Sequence, residues 1–406
     1  MTAPRLVVRT RRVAASPVVA VRAWVRGGAR AERVPGQALI TGRLLLEGTR
    51  RRDWRTIAEE AEARGMALHG FGAFEMHGIA IDALAADWER SLDWLAELLL
   101  EPAFPEDRCR FQARQAAGEL ESLADQAEVL TAWAFLEQLY TPHPLSRPLQ
   151  GDAASLRGLV PADCAAFHAE ALERGAIVSV AGAIDEEAVR ARLERSLGDL
   201  GGEARPGPEP PAPQGTAASR REVATHAADQ AHLYLGHLTI DRLDPDHAAL
   251  DLLSVVLGAG AGLAGRIPQR IREQEGLAYT AVAACAAGAS LDPGRLVVYV
   301  GTAPDKLARA ERAAVEELES VLAAGLADQE VDDARGYLLG REPFRRETAR
   351  QWAELMAESE LFGLPLDDPE WLLAAYRGLD RPAVEAAAHR HLRPGDVKVT
   401  LGLPSG

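Results

Sequence analysis

The sequence predicts an α+β protein of two homologous domains, each a mixed, mostly antiparallel sheet with helices packed on one face. The chain has 406 residues, more than a single hydrophobic core usually serves. A proline-rich segment at 203–219 separates two nearly equal parts. Strand and helix patterns recur in the same order in both parts, which favours an internal duplication with pseudo-twofold symmetry.

The first domain is predicted over residues 1–202. Alternating β-branched residues indicate a strand at 17–28, and an apolar run indicates another at 175–184. A glycine-interrupted stretch at 66–84 has the pattern of a hairpin. Helical periodicity occurs at 38–48, 49–65, 87–104, 105–140 and 185–200. We expect Thr49 to cap the second of these helices and Gly65 to end it.

The segment "EARPGPEPPAPQGTAAS" at 203–219 contains five prolines. Such a composition favours an extended, exposed linker. The second domain is then predicted over 220–406. Strand patterns in this domain occur at 230–240 and 295–304, and helical patterns at 245–260, 305–326 and 327–363.

Composition restricts the class of partner and the compartment. The net charge is −15, whereas nucleic-acid binding calls for a basic surface. No apolar run approaches the roughly 18 residues of a membrane-spanning helix, and arginines interrupt every apolar stretch near the N-terminus, which predicts no signal peptide. The cysteines Cys109, Cys164 and Cys285 are widely spaced, as expected for buried thiols in a reducing compartment. We therefore expect a cytoplasmic protein with no nucleic-acid or membrane partner.

Several short motifs carry a family resemblance that covers nearly the whole chain. They are "GGARAE" at 27–32, "EGT" at 47–49, "EPAF" at 101–104, "YTPHPLSRPLQG" at 140–151, "VAGAIDEE" at 180–187 and "REQEGLAY" at 272–279. In these motifs and in its layout the chain resembles the pitrilysin/insulinase family of zinc peptidases, the inverzincins. The nearest branch is the two-domain form related to mitochondrial processing peptidase and its bacterial relatives.

The resemblance implies a zinc site that this chain has lost. In the family, the helix before Gly-Thr carries His-x-x-Glu-His, in which two histidines bind Zn²⁺ and the glutamate polarises the bound water. A glutamate farther along the chain is the third ligand, and its position maps onto Glu119. Counting back from Gly48, the five motif positions are Leu39, Ile40, Thr41, Gly42 and Arg43. No base remains at Gly42, and neither leucine nor a permanently protonated arginine can replace a histidine ligand.

We therefore expect no metal and no cofactor in this chain, and no hydrolysis by it alone. The positive charge of Arg43 is predicted to pair with Glu119 in place of the lost metal, because an unpaired buried carboxylate would be costly. The alternative is that Arg43 extends to solvent and Glu119 is exposed.

The second domain keeps a pair that the resemblance assigns to substrate binding. Arg272 and Tyr279 lie seven residues apart in "REQEGLAY", and in family members such a pair contacts the backbone of the bound peptide. A guanidinium and a phenol can both donate hydrogen bonds to peptide carbonyls. Without the resemblance, a core tyrosine and a surface arginine would explain the two residues equally well.

The resemblance also implies a partner. Bacterial relatives occur as pairs of homologous chains, one with His-x-x-Glu-His and one with only the Arg/Tyr pair, and this chain is similar to the second kind. We expect a heterodimer with zinc in the partner, or a homodimer in isolation, and a peptide that adds as a strand along a sheet edge. The alternatives are a purely structural assembly subunit and a stand-alone peptidase with an unrecognised metal site.

Other candidate sites are weaker. His232 and His237 are five residues apart in one predicted strand, so they point to opposite faces. His69 and His77 flank the predicted hairpin turn and could form a displaced zinc site with Glu119. His389 and His391 fall in a segment that we expect to be helical and exposed. The glycine-rich stretch at 258–265 suits a flexible loop, but it lacks the Lys-Ser/Thr of a phosphate-binding loop.

Overall fold

The computed structural model of the protein describes residues 4–215, 217–225, 230–260, 265–365 and 370–404. The chain divides into two compact units, each assembled from three segments. The first unit comprises Met1–Glu121, Pro148–Pro211 and Phe344–Leu366, and the second comprises Ser122–Arg147, Ala212–Pro343 and Asp367–Gly406.

Each unit contains a five-stranded sheet, and the two sheets share one topology. The first has the order β1-β5-β2-β4-β3 and the second β6-β10-β7-β9-β8. The strands are β1 Leu6–Arg12, β2 Val18–Arg26, β3 Ala67–Gly72, β4 Met76–Leu84, β5 Ala176–Gly182, β6 Ser219–Thr225, β7 Ala231–Leu238, β8 Ala278–Ala287, β9 Arg295–Thr302 and β10 Lys398–Pro404. The pairs β1/β5 and β6/β10 are parallel and the other pairs antiparallel. The predicted α+β fold with duplicated mixed sheets is confirmed.

The helices lie in groups between these strands. They are α1 Gln37–Leu44, α2 Trp54–Glu62, α3 Trp88–Leu100, α4 Glu106–Ala124, α5 Ala127–Tyr140, α6 Ala153–Gly158, α7 Pro161–Arg174, α8 Glu186–Leu197, α9 His247–Ser254, α10 Arg266–Pro268, α11 Leu307–Ala324, α12 Asp328–Arg341, α13 Ala349–Phe362, α14 Glu370–Gly378 and α15 Arg381–His391. A π-helical turn follows both α9 and α10, at Val255–Ala259 and Gln269–Gln274. Within the described residues, no helix is both long and apolar enough to cross a bilayer.

Apolar residues on both faces of the central strands explain how the units are assembled. In β2, Val19 and Val21 point into the main core of the first unit, whereas Ala20 and Trp24 point to the opposite face and pack on α13. In the second unit, Leu233 of β7 is in the main core, and its neighbour Tyr234 packs against Phe135 of α5. A helix from the other half of the sequence therefore covers the second face of each sheet.

The predicted domains 1–202 and 220–406 consequently need a correction. The segment 122–147, which contains α5, belongs to the second unit, and the segment 344–366, which contains α13, belongs to the first. The main boundary, after Pro211, does fall within the predicted linker at 203–219. The end of that linker is already structured, because β6 begins at Ser219.

Two local predictions also change. Asp53 rather than Thr49 caps α2, since its carboxylate accepts a hydrogen bond from Thr56 N at 2.8 Å, while the Thr49 hydroxyl donates to Glu97 at 2.7 Å. The helical stretch predicted at 105–140 consists of α4 and α5.

Strands β1, β6, β8 and β10 were not predicted from the sequence. Arginines interrupt the apolar pattern of β1 and β6, and alanines dominate β8.

Candidate functional site

Helix α1, which carries the degenerate zinc motif, lies directly on the backbone of edge strand β3. A Cβ atom added at Gly42 would lie 1.8 Å from the carbonyl oxygen of Phe71. On the strand, a Cβ at Gly70 would lie 2.4 Å from Gly42 O, and one at Gly72 would lie 2.5 Å from the Cα of Leu39. All three separations are far below van der Waals contact, so this packing requires glycine at the position where the family has its glutamate base.

The remaining motif positions are used for packing or for an ion pair. Leu39 is only 7% exposed, and Ile40 and Thr41 are fully buried. The Nη2 atom of Arg43 lies 2.7 Å from Oε2 of Glu119 on α4, which confirms the predicted ion pair. Burial of Glu119 does not explain the pair, however, because the Glu119 side chain is 43% exposed. Partly solvated pairs of this kind contribute less than about 1 kcal/mol to stability.

This arrangement cannot reproduce the metal site of the family. A hydrocarbon side chain and a guanidinium stand where two imidazoles would be needed, and arginine does not deprotonate to become a ligand. The Glu119 carboxylate could in principle coordinate a metal, but Arg43 already binds it. Among positions 39–43, no side chain offers a metal ligand of the family's type, so zinc does not fit there.

Tyr279 projects from the edge of the second sheet. It lies near the start of β8, where Ala278 pairs with Thr302 and Thr280 pairs with Gly301 of β9. Tyr279 is therefore the additional residue of a β-bulge, a feature that redirects side chains at sheet edges. Its side chain is 79% exposed, which contradicts the alternative interpretation as a core aromatic.

The structure brings Arg272 and Tyr279 together. Arg272 lies in the π-helical turn Gln269–Gln274, and its Cζ is 5.0 Å from the centroid of the Tyr279 ring. Its Nε is 3.4 Å from a carboxylate oxygen of Glu273. A cation over an aromatic face is attractive by up to about 1 kcal/mol at an exposed site. Two hydrogen-bond donors thus stand side by side next to an edge strand.

The displaced zinc site with His69 and His77 is not formed. His77 is fully buried, and its Nε2 is 2.9 Å from Nδ1 of His168. His69 pairs with Ala80, and the two paired residues share a face of the sheet. Ala80 is three residues from His77 on β4, so His77 points to the opposite face. The two imidazoles therefore lie on opposite faces of the sheet. His69 instead stacks on Phe71, with 6.0 Å between ring centroids.

The other histidine predictions can also be compared with the structure. His232 and His237 point to opposite faces as predicted: His232 Nδ1 is 3.1 Å from Tyr299 OH, and His237 Nε2 accepts a hydrogen bond from Arg393 N at 3.0 Å. His389 and His391 are in the last turn of α15, which confirms the predicted helix. His389 is exposed as predicted, whereas His391 is half-buried. Residues 261–264 of the glycine-rich stretch lie outside the described residues.

A cluster around His391 was not predicted. Ligand atoms of Asp244, Asp246 and His391 lie within 4.8 Å of one another. Arg390, however, donates to both carboxylate oxygens of Asp246 at 2.7 Å each, so a guanidinium already occupies the Asp246 carboxylate. The glycine contacts between α1 and β3 were missed as well, although the spacing in "HGFG" was a signal for close backbone approach.

Comparisons with known proteins identify the family. Residues 7–153 match the family model Insulinase (Peptidase family M16), and residues 164–338 match the model Peptidase M16 inactive domain. An uncharacterized zinc protease of Mycobacterium bovis is 30% identical over 326 residues, which cover 79% of this chain and 73% of the relative. The non-peptidase homolog YmxG of Helicobacter pylori is 26% identical over 380 residues, covering 90% and 84%.

A solved structure shows the same fold. The crystal structure of a peptidase M16 inactive domain from Pseudomonas fluorescens has a TM-score of 0.86 at 24% identity, covering 99% of this chain and 96% of that one. The family models, the 30% identical relative and the shared fold together assign the chain to the insulinase family of peptidases, peptidase family M16.

Proposed function

We propose that this chain is the non-catalytic, peptide-binding subunit of a heterodimeric zinc endopeptidase. The partner is a homologous chain that carries His-x-x-Glu-His and the zinc ion. One observation carries the proposal: Tyr279 and Arg272 are adjacent and accessible at a sheet edge, while α1 has lost every metal-binding side chain.

The loss of hydrolysis follows from α1. Without an imidazole at Leu39 or Arg43, no metal is available to polarise a water molecule or a peptide carbonyl. Without a carboxylate at Gly42, no base is available there to take the proton of the attacking water. The packing of Gly42 on β3 adds a steric reason to the chemical one.

Peptide binding is supported by the second unit. Strand β8 is at the edge of its sheet, and an edge strand presents backbone N–H and C=O groups that can pair with an extended peptide. The guanidinium of Arg272 can only donate hydrogen bonds, and the phenol O–H of Tyr279 can donate one to a carbonyl oxygen. Their place in the reaction is therefore to hold and polarise the carbonyls of a bound peptide.

The names of the relatives fit a family with both kinds of chain. One is named a zinc protease and another a non-peptidase homolog. A purely structural role in assembly remains the competing function, and it predicts that Arg272 and Tyr279 have no effect on cleavage.

Cleavage by the reconstituted pair is the first test. The chain is co-expressed with its homologous His-x-x-Glu-His partner, and hydrolysis of an unstructured peptide is followed by mass spectrometry. We expect Arg272→Ala with Tyr279→Phe to lower kcat/KM by about 100-fold or more, because two carbonyl donors are removed.

Two variants serve as controls. Leu243→Ala changes an exposed position outside β8 in the same unit, and Arg312→Ala removes an exposed arginine from α11; both should cleave at the wild-type rate. Size-exclusion chromatography establishes that every variant still binds the partner. Unchanged cleavage by the Arg272/Tyr279 variant in an intact complex would favour the assembly role and reject peptide binding by this pair.

The metal content of each isolated chain is the second test. After incubation with Zn²⁺ and dialysis, we expect this chain to retain far less than one equivalent by mass spectrometry and to cleave no peptide alone. The partner, treated identically, should retain roughly one zinc ion through its three protein ligands. One equivalent of zinc on this chain, or peptide cleavage by it without the partner, would contradict the proposal.

A further inference from the structure

Arg272 and Tyr279, the donor pair, lie at the two ends of one tight turn between the π-helical segment and β8. The N–H of Leu277 donates to the carbonyl oxygen of Ile271 at 2.8 Å, which closes the turn. Gly276 has a φ of 59°, a conformation that glycine adopts without strain. Ile271 is fully buried in the core of the second unit, so the turn has one anchor there.

The contacts of the donor pair itself are weak. They are the stack of the guanidinium on the phenol ring at 5.0 Å and the ion contact of Arg272 with Glu273 at 3.4 Å. Contacts of both kinds contribute at most about 1 kcal/mol at exposed sites. The placement of the two donors therefore depends on how firmly the turn between them is held.

One carboxylate inside this turn is held by two guanidinium groups. Oε1 of Glu275 accepts a hydrogen bond from Arg270 Nε at 3.1 Å and another from Arg309 Nη2 at 2.5 Å. Arg309 lies in α11, so the second bond ties the turn to a helix outside it. Arg270 is itself fixed to α11 by Glu317, at 2.8 Å. The Glu275 side chain is only 23% exposed, and hydrogen bonds between charged groups are stronger than neutral ones.

Two further contacts hold the backbone of the turn from outside. The Nζ atom of Lys306, just before α11, donates to the carbonyl oxygen of Gly276 at 2.8 Å. The hydroxyl of Thr302, at the end of β9, donates to the carbonyl oxygen of Leu277 at 2.5 Å. These contacts act on the residues directly before Tyr279 rather than on its phenol, so the turn is braced while its two donors stay at the surface.

We propose that Glu275 is a positioning residue for the donor pair: by joining the turn to Arg309 it holds Arg272 and Tyr279 where both reach the carbonyls of one bound peptide. This inference rests on the proposed peptide-binding function. Donors that are already ordered lose less entropy when the peptide binds, and a displacement of about 1 Å at such a site can cost roughly 100-fold in rate. Glu275 acts through the pair and not on the peptide.

Hydrogen–deuterium exchange of the full-length chain alone tests the structural half of the proposal. In Glu275→Ala we expect the amides of 272–279, including that of Leu277, to exchange about tenfold faster or more, while the rest of the second unit keeps its wild-type rates. The matched control is Glu311→Ala, because Glu311 also lies on α11 but pairs with Arg220 at 2.7 Å, away from the turn. Its turn should exchange as in the wild type. Wild-type exchange of the turn in Glu275→Ala would overturn the proposal.

Peptide cleavage by the complex with the His-x-x-Glu-His partner gives a readout that a merely structural role would not. Glu275→Ala should lower kcat/KM by about tenfold, whereas Glu311→Ala should leave it unchanged. Combined with Arg272→Ala and Tyr279→Phe, the Glu275→Ala substitution should cause no additional loss, because it acts only through that pair. An additional loss in this background would reject the positioning role and indicate general damage to the second unit.

These results separate the positioning role from the function on which it rests. If Arg272→Ala with Tyr279→Phe cleaves at the wild-type rate, peptide binding by the donor pair and its positioning by Glu275 are both rejected. If that variant is impaired while Glu275→Ala cleaves normally, the peptide-binding function stands and the role of Glu275 is rejected.

Discussion

Replacing Gly42 with alanine should lower the free energy of unfolding by about 3 kcal/mol. The added methyl group would lie 1.8 Å from the carbonyl oxygen of Phe71. Because that oxygen is part of the backbone of β3, no side-chain rotation can relieve the overlap. Either α1 or β3 must move, and the contacts of Leu39 with Gly72 and of Gly42 with Gly70 would be lost together.

A second helical glycine provides the control. Gly118 lies in α4 of the same unit, and a Cβ added there would meet no atom within 4 Å. Gly118→Ala should therefore raise stability by up to about 1 kcal/mol, since alanine has the higher helix propensity. Urea unfolding followed by the fluorescence of tryptophans in the first unit, such as Trp24 and Trp94, measures both variants. Equal effects of the two substitutions would show that α1 does not rest on β3 as described.

The Gly42 contact bears on the proposed lack of hydrolysis. The helix backbone lies directly on the strand, with Gly70 and Gly72 on the other side of the contact. A glutamate at position 42 would have to displace β3, so the surrounding backbone, and not only the missing side chains, opposes a base of the family's type at this position.

The sequence predicted the features that depend on local periodicity. The strand at 17–28, the hairpin at 66–84 and the helix around Leu39 follow from patterns within a few residues, and the structure has β2, the β3–β4 hairpin and α1 there. The Arg43–Glu119 pair also followed from the motif, because a lost metal leaves a carboxylate that a cation can satisfy. The exposure of Glu119 was not predictable, because a single sequence does not show how α4 packs.

Features formed by distant segments were not predictable in the same way. Strand β2 is apolar on both faces, but nothing in its own residues indicates that α13, more than 300 residues later, covers the second face. The exposure of Tyr279 depends on a bulge in β8, and a bulge is set by strand register, which the residues of one strand do not fix.

Acidification should destabilise the first unit by about 3 kcal/mol or more between pH 6.5 and pH 4, because two buried histidines must stay neutral. His168 Nε2 donates to the carbonyl oxygen of Leu99 at 2.8 Å. Its Nδ1 therefore accepts the hydrogen bond from His77 Nε2 at 2.9 Å. Burial lowers the pKa of His168 to about 4, and burial with the nearby His168 and Arg174 lowers the pKa of His77 well below its usual value.

The sign follows from proton binding. The folded state binds fewer protons than the unfolded state at these two imidazoles, so their contribution to stability is complete above about pH 6.5 and is lost as the pH falls toward 4. We expect the urea midpoint of the first unit to fall over this range. Site-resolved nuclear magnetic resonance should show that His168 does not titrate above about pH 5.

His168→Gln separates this effect from the carboxylates that titrate at lower pH. The glutamine amide can donate to Leu99 O and its oxygen can accept from His77, but it takes up no proton. The pH dependence of unfolding between 6.5 and 4.5 should become shallower in this variant, whatever its stability at neutral pH. His69→Gln, at an exposed position of β3, should leave the slope unchanged. An equal slope in wild type and His168→Gln would mean that the buried pair does not link folding of this unit to protonation.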